Sequence, residues 1–307
     1  MKQLAIIIPA YKDTYLRDTL DSISKQTCKD FTLYIGDDCS PFNIEAIVDD
    51  FRDKLDIVYK RFENNLGGKD LVAQWERCIA MSKYEPYLWL FSDDDVMGPN
   101  CVASYLDLKK EIRDNWLVHF NIGMIDGKGK LVKMLPPYPH EMTAKQYLDG
   151  KLLHRTNISF VVEFVFSRDL YIRSSGFQNF DLAWGADFIT WLKFAGNCKG
   201  IRTVETIDSY IMWRSSDQNI SPNKTHPIIL RKIHSIIDNA SYIKNWLKSY
   251  NYDYSFKYSK FPWGEMKRNR ALLSKNDIDA LKNAYAQKIG MNIYSYMSYL
   301  YVKYFCK

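Results

Sequence analysis

The sequence predicts an α/β fold: a mostly parallel sheet flanked by helices, followed by a helical C-terminal extension. Short apolar runs alternate with helix-period segments over the first hundred residues, and clusters of Asp, Asn, Ser, Gly and Pro separate them. From about Thr225 the pattern becomes helical, basic and aromatic. At 307 residues and 47% hydrophobic content the chain can bury an ordinary core, as one large α/β domain with an appendage or as two domains.

The first element is a strand over 4–8 within "LAIIIPA". Its apolar run ends at Ala10, before Tyr11, Lys12 and Asp13, and no small-residue cleavage pattern follows, so it reads as a strand and not as a secretion signal. Helical patterns over 14–26, 43–53 and 68–82 then alternate with strands over 31–35, 56–60 and 87–92, and "DDCSPFN" and "NNLGG" supply the turns. That alternation is the pattern of βαβ units with right-handed crossovers. The second half is less regular. A hairpin is expected around "IDGKGKLV", a strand in "SFVVEFVF", a short helix in "DFITWLKFAG" and a strand in "RTVETIDSYIMW". Beyond Thr225 the helical pattern is interrupted by the aromatic stretch "YNYDYSFKYSKFPWG".

Six cysteines are scattered without a CxxC pair or a zinc-type spacing, which indicates reduced, cytosolic thiols and argues against a disulfide framework or a structural metal. No stretch of about 18 apolar residues suggests a spanning helix. The net charge of +6 is uneven: residues 223–307 carry 15 Lys/Arg against 5 Asp/Glu, while residues 1–222 are net acidic.

The segment "YLWLFSDDDVMGPN" crowds Asp93, Asp94 and Asp95 behind an apolar run. Like charges this close raise one another's pKa unless a cation or hydrogen-bond donors hold them. A solvated acidic turn is the competing reading. The flanks oppose it, because Tyr87 to Phe91 fits a strand buried on both faces, and open α/β sheets bind ligands beyond the carboxyl ends of such strands.

Strands ending in "PAYKD", "GDDCS" and "SDDDV" line several carboxylates and a tyrosine along one sheet edge. With "NNLGG", "YIRSSGF" and "WGADFITWLKFAG" following in order, residues 3–222 closely resemble family 2 glycosyltransferases, inverting enzymes of the GT-A fold. The resemblance implies a nucleotide-binding half over 1–100, an acceptor-binding half over 101–222, and a separate basic, aromatic helical region over 223–307. By similarity Pro9 and Tyr11 pack against the nucleoside, and Asp38 accepts a hydrogen bond from the base. Asp93 faces the ribose, and Asp94 or Asp95 binds Mn²⁺ or Mg²⁺, with the register inside the triplet open. Lys69, just after Gly67 and Gly68, is in a position to approach the diphosphate, with an ordinary solvent-exposed lysine at a helix start as the alternative. Where the family often carries Arg further into that helix, Gln74 and Trp75 stand nearby. Asp187 matches the carboxylate expected to act as base, a position where Asp also serves as a helix cap. "WRSSDQNIS" matches a segment in which many members place a metal-touching His; Ser215, Ser216 and Asp217 stand there instead, so no histidine ligand is expected. His119, His140 and His154 fall outside the motifs and are expected to be structural or on the surface.

The tail holds 16 aromatic residues among 85. Basic and aromatic helices suit a peripheral anchor on anionic lipid, with packing onto the catalytic domain or a homodimer contact as the alternative. Nucleic acid is not expected, given the acidic first half. The resemblance thus implies a metal-dependent transfer from a nucleotide sugar, a UDP-sugar first among them, to a glycan or lipid-linked acceptor in surface polysaccharide synthesis. The setting would be cytoplasmic, at the inner face of the membrane. The rivals are a nucleotidyltransferase, for which "PAYKDTY" lacks the Gly-rich phosphate loop, and a non-catalytic nucleotide- or glycan-binding module.

Overall fold

Strands β1 (Leu4–Ala10), β2 (Phe31–Asp37), β3 (Ile57–Arg61) and β4 (Tyr87–Leu90) form the first half of the sheet in the computed structural model, which describes residues 2–112, 115–216 and 224–306. They pair in parallel in the order β3-β2-β1-β4. Leu88, Trp89, Leu90 and Phe91 are buried, as their run of apolar residues requires. Helices α1 (Leu16–Ser24), α2 (Ile44–Asp49) and α3 (Leu71–Ile79) make the connections. In α3, Asp70 caps the start by accepting from the Ala73 N–H, and Val72, Trp75, Cys78 and Ile79 turn inward at helical spacing.

Beyond β4 the sheet becomes mixed. β5 (Val96–Met97) and α4 (Cys101–Ile112) precede the long strand β6 (Leu117–Ile125), which turns through "DGKG" into β7 (Leu131–Met134). β8 (Glu141–Met142) and α5 (Ala144–Asp149) lead to β9 (Phe164–Ser167), which lies antiparallel between β4 and β6. α6 (Arg168–Arg173) and α7 (Ala186–Gly196) follow. The strand expected across "RTVETIDSYIMW" is two strands, β10 (Ile201–Val204) and β11 (Tyr210–Arg214). A turn that sets Asp208 at φ 61 separates them, and they run one after the other beside β6 in parallel.

The C-terminal region consists of α8 (His226–Ser249), α9 (Phe256–Arg268), α10 (Lys275–Lys288) and α11 (Ile293–Leu300), continued by one wide helical turn, Tyr301–Phe305. The aromatic stretch read as an interruption is mostly helix. Only its first residues form a turn, and α9 runs through Pro262 because Tyr258, Ser259, Pro262, Trp263 and Met266 bury one continuous face. Two apolar layers cover the faces of the sheet, and the one containing α7 also takes in Ile243, Trp246, Leu247 and Tyr258 from the C-terminal helices. A third cluster lies among those helices themselves.

Candidate active site

At one part of the sheet edge, the ends of β2 and β4 deliver carboxylates that the chain's own donors hold. Asp37 accepts from the Ser40 N–H, the Tyr59 hydroxyl and Arg61. Asp38 accepts from the Leu66 and Gly67 amides at 2.7 and 2.8 Å and pairs with Arg77, so it fixes the "NNLGG" loop over the strand end. Asp93 Oδ2 receives the Tyr11 and Lys12 amides, each at 2.8 Å. Asp95 gives one oxygen to the Arg214 N–H at 2.6 Å and the other to the Ser92 hydroxyl at 2.6 Å. Among the described residues the Asp94 carboxylate has only the Lys12 ammonium, at 3.3 Å. Burial and the neighbouring Asp94 push Asp93 above its ordinary pKa and carry Asp95 up to about 8.

The side that carries Asp187 is built differently. Asp187 occupies the first turn of α7, but it is not the cap; Gly185 is, at φ 82, a conformation that favours glycine. A Cβ at Gly185 would collide with the Asn239 side-chain oxygen, and Asn239 of α8 donates to the Trp184 carbonyl at 3.2 Å. A C-terminal helix thereby sets the start of the helix that carries Asp187. Burial raises the Asp187 pKa, and Lys151 partly offsets it. Lys151 donates to the Ser159 hydroxyl at 3.1 Å, and burial lowers its pKa against the pull of Asp187 and Glu163. Glu163 is fully buried; one oxygen accepts from the Phe160 N–H at 2.6 Å, the other has no hydrogen bond among the described residues, and burial pushes its pKa up to about 8. His119 is also buried, stacked on Tyr138 with ring centroids 3.9 Å apart, and both its ring nitrogens lack hydrogen-bond partners among the described residues.

A cavity of about 1190 Å³ joins the two sides. Pro9, Tyr11, Asp38 and Asp93 to Asp95 line one end, and Lys151, Asp187, Trp184 and Trp213 the other. Ile236, Asn239, Phe261 and Glu265 of α8 and α9 complete the wall. Lys69 is absent from the lining: its amide closes a turn onto the Leu66 carbonyl, and the residue is exposed. Among the described residues no three His, Cys, Asp or Glu side chains converge in a metal-holding geometry. The "WRSSDQNIS" segment, where no histidine ligand is expected, continues past Ser216 into residues 217–223, outside the described residues.

A family model described as glycosyl transferase family 2 matches residues 5–170, more than half of the chain. The chain belongs to glycosyl transferase family 2. The similar proteins include the poly(ribitol-phosphate) β-N-acetylglucosaminyltransferase TarS of Staphylococcus aureus, 31% identical over 98 residues, 31% of this chain and 16% of TarS. An uncharacterized glycosyltransferase of Rickettsia typhi is 25% identical over 62% of this chain and 58% of its own length. The match thus spans less than two thirds of these relatives. In fold, the chain is similar to TarS residues 1–349 in complex with UDP-GlcNAc, with TM-score 0.56 at 16% identity over 99% of this chain and 90% of that one. It is also similar to a Pyrobaculum calidifontis mannosyltransferase in complex with GDP-Man and Mn²⁺, with TM-score 0.52 at 13% identity over 96% and 78%.

Three residues of this family 2 site went unread in the sequence. Arg77, three residues past Gln74 on α3, binds Asp38 and stacks on Phe62, its guanidinium 3.9 Å from the ring centroid. Arg214, buried at the end of β11, holds the triplet: besides its amide on Asp95, its Nε donates to the Asp94 carbonyl at 2.7 Å, and its guanidinium also reaches Asp18. Lys151 belongs to no motif and is brought in by the helical turn after α5. The "WRSS" run was the one available signal, since an Arg ending a strand beside a carboxylate triplet is an obvious partner for it.

Proposed function

We propose that the chain is a metal-dependent inverting glycosyltransferase that moves a sugar from a nucleotide sugar, a UDP-sugar first, to a hydroxyl of a glycan or lipid-linked acceptor in surface polysaccharide synthesis. The observation that carries this reading is the single cavity that runs from the carboxylate triplet to Asp187. A site that only bound a nucleotide would have no use for a second, poorly solvated carboxylate at its far end.

In this reading Pro9 and Tyr11 pack against the nucleoside, and Asp38 holds the "NNLGG" loop beside the base. Asp93, kept in place by two backbone amides, keeps an oxygen for the ribose. The donor set suits a hard divalent cation such as Mn²⁺ or Mg²⁺, which takes one or two carboxylates and completes its shell with water and phosphate oxygens. Asp94 is the carboxylate left for it, since Asp95 already spends both oxygens on Arg214 and Ser92. When bound, such an ion supplies charge stabilisation to the departing diphosphate. Asp187 then accepts the proton of the attacking acceptor hydroxyl as the new glycosidic bond forms. The sugar–phosphate bond breaks on the opposite face, which inverts the anomeric centre. Burial raises the affinity of Asp187 for that proton, and Lys151 offsets part of the rise. Incubation with a panel of sugar nucleotides and Mn²⁺ tests the reading: nucleotide diphosphate is released from a favoured donor and release stops with excess chelator, whereas chelator-insensitive release, or none from any donor, refutes it.

A further inference from the structure

The rings of the C-terminal region divide into two groups. Trp246, Tyr250 and Tyr258 face the catalytic half; the Tyr250 hydroxyl donates to the Gly196 carbonyl at 2.7 Å and the Tyr258 hydroxyl to Asp149 at 2.5 Å. The rings of α11 and the turn after it do the reverse. Only Ser295, Tyr299 and Val302 of this segment are buried, while Ile293, Tyr294, Tyr296, Met297, Tyr304 and Phe305 are each at least half exposed. A water-facing helix ordinarily places its polar residues outward, and a contiguous exposed apolar face marks an interaction surface.

Positive charge surrounds this face. Lys267 lies over the Tyr301 ring at 5.0 Å, and Lys275 and Lys303 lie over Tyr304 at 5.4 and 5.3 Å. Phe256 of α9 stacks on Tyr294 at 4.1 Å, next to the exposed Lys257 and Lys260. No acidic residue occurs between Ile293 and Phe305. The α10 carboxylates are already tied, Asp279 to Lys303 and Tyr299, and Asp277 to His226 and Ser274. We infer that this face, α11 with the turn after it and the exposed lysines of α9, docks on the surface of an anionic lipid bilayer. Amphipathic tyrosines in the headgroup layer, apolar side chains below them and lysines against lipid phosphates are the chemistry such a surface recognises. Among the described residues no helix is long and apolar enough to cross a membrane, so this contact lies on the bilayer.

The docking face adjoins the cavity through α9. At about 100° per residue, Phe256, Lys260 and Lys267 share one side of that helix, and the cavity-lining Phe261 and Glu265 lie about half a turn round from them. The acceptor wall therefore stands about one helix diameter, ~10 Å, from the lipid surface. This last step rests on the transfer reading above; the docking itself does not.

Co-sedimentation of the full chain with vesicles tests it. The chain should pellet with phosphatidylglycerol vesicles and stay in the supernatant with phosphatidylcholine vesicles, with less bound as salt rises. Ile293→Ser/Met297→Ser/Phe305→Ser should lower binding about tenfold or more, and so should Lys257→Glu/Lys260→Glu, the second variant guarding against misfolding of the first. Both should release nucleotide diphosphate from donor in solution like the parent chain. Failure to pellet with anionic vesicles overturns the inference, as does equal binding to both lipids. A chain that is dimeric by light scattering, turns monomeric on the apolar substitutions and ignores vesicles would assign the face to a second copy instead. Because sedimentation and light scattering need no turnover, loss of the transfer reading would leave the vesicle result standing.

Discussion

The two ends of the cavity handle negative charge in opposite ways. At the end lined by the carboxylate triplet, Asp37, Asp38, Asp93 and Asp95 are each held by two or more donors, from backbone amides, hydroxyls or Arg61, Arg77 and Arg214. At the Asp187 end, Asp187 and Glu163 have few hydrogen-bond partners among the described residues. Burial raises pKa values at both ends, those of Asp93 and Asp95 as well as those of Asp187 and Glu163, so the contrast lies in the donors and not in the titration. The satisfied carboxylates build a platform held by the chain's own donors, and the undersatisfied ones leave oxygens open. In the proposed reaction the fixed positions serve binding and the open oxygens serve chemistry.

Several measurements would break or sharpen that contrast. Asp94 is the exception on its own side, with Lys12 alone, so Asp94→Asn should lose about 10²–10³-fold in turnover, the scale of the charge stabilisation a metal supplies. It should also abolish the Mn²⁺ dependence of nucleotide diphosphate binding in a titration, while thermal melting stays near that of the parent. Asp95→Ala should instead act on the fold, costing about 1–3 kcal/mol in denaturant titration because the Arg214 amide and the Ser92 hydroxyl lose their partner. If Asp95→Ala melted normally, the platform description would be wrong. Gly185→Ala should cost about 1–2 kcal/mol from its positive φ, together with a displaced Asn239, and should lower transfer through a misplaced Asp187 while donor affinity holds. Glu163→Gln reads the Asp187 end through pH. The folded Glu163 keeps its proton up to about pH 8, whereas the unfolded chain releases it near 4.3, so the unfolded state binds fewer protons in between and stability falls as pH rises across that window. The amide should flatten this fall, of up to about 1.4 kcal/mol per pH unit, in melts recorded from pH 4 to 8.

The platform was largely legible in the sequence and the acceptor side was not. Strand ends in "PAYKD", "GDDCS" and "SDDDV" follow from an apolar period and a turn, which are local signals, and the parallel pairing brings them together. Asp187 was visible only through its motif. Its surroundings depend on long-range packing: Lys151 arrives from a turn after α5, Glu163 from the start of β9, and Asn239 from a helix more than fifty residues downstream. No periodicity predicts such a meeting. The same reason hid α9, where a Pro and a Gly in an aromatic run look like a break until the buried face that outweighs them is known. Lys69, which follows two glycines and could be read either as a phosphate contact or as an exposed lysine at a helix start, is exposed and outside the cavity lining.

The account rests on Asp187 being the base, and one variant tests that most directly. Asp187→Asn preserves size and polarity, and because Gly185 is the cap, the helix start should survive it. With the favoured donor, Mn²⁺ and an acceptor, the account predicts that sugar transfer falls by about 10²–10⁴-fold while nucleotide diphosphate affinity and melting temperature stay close to those of the parent chain. Transfer at the parent rate, with donor binding intact, would contradict it and move the base to another group.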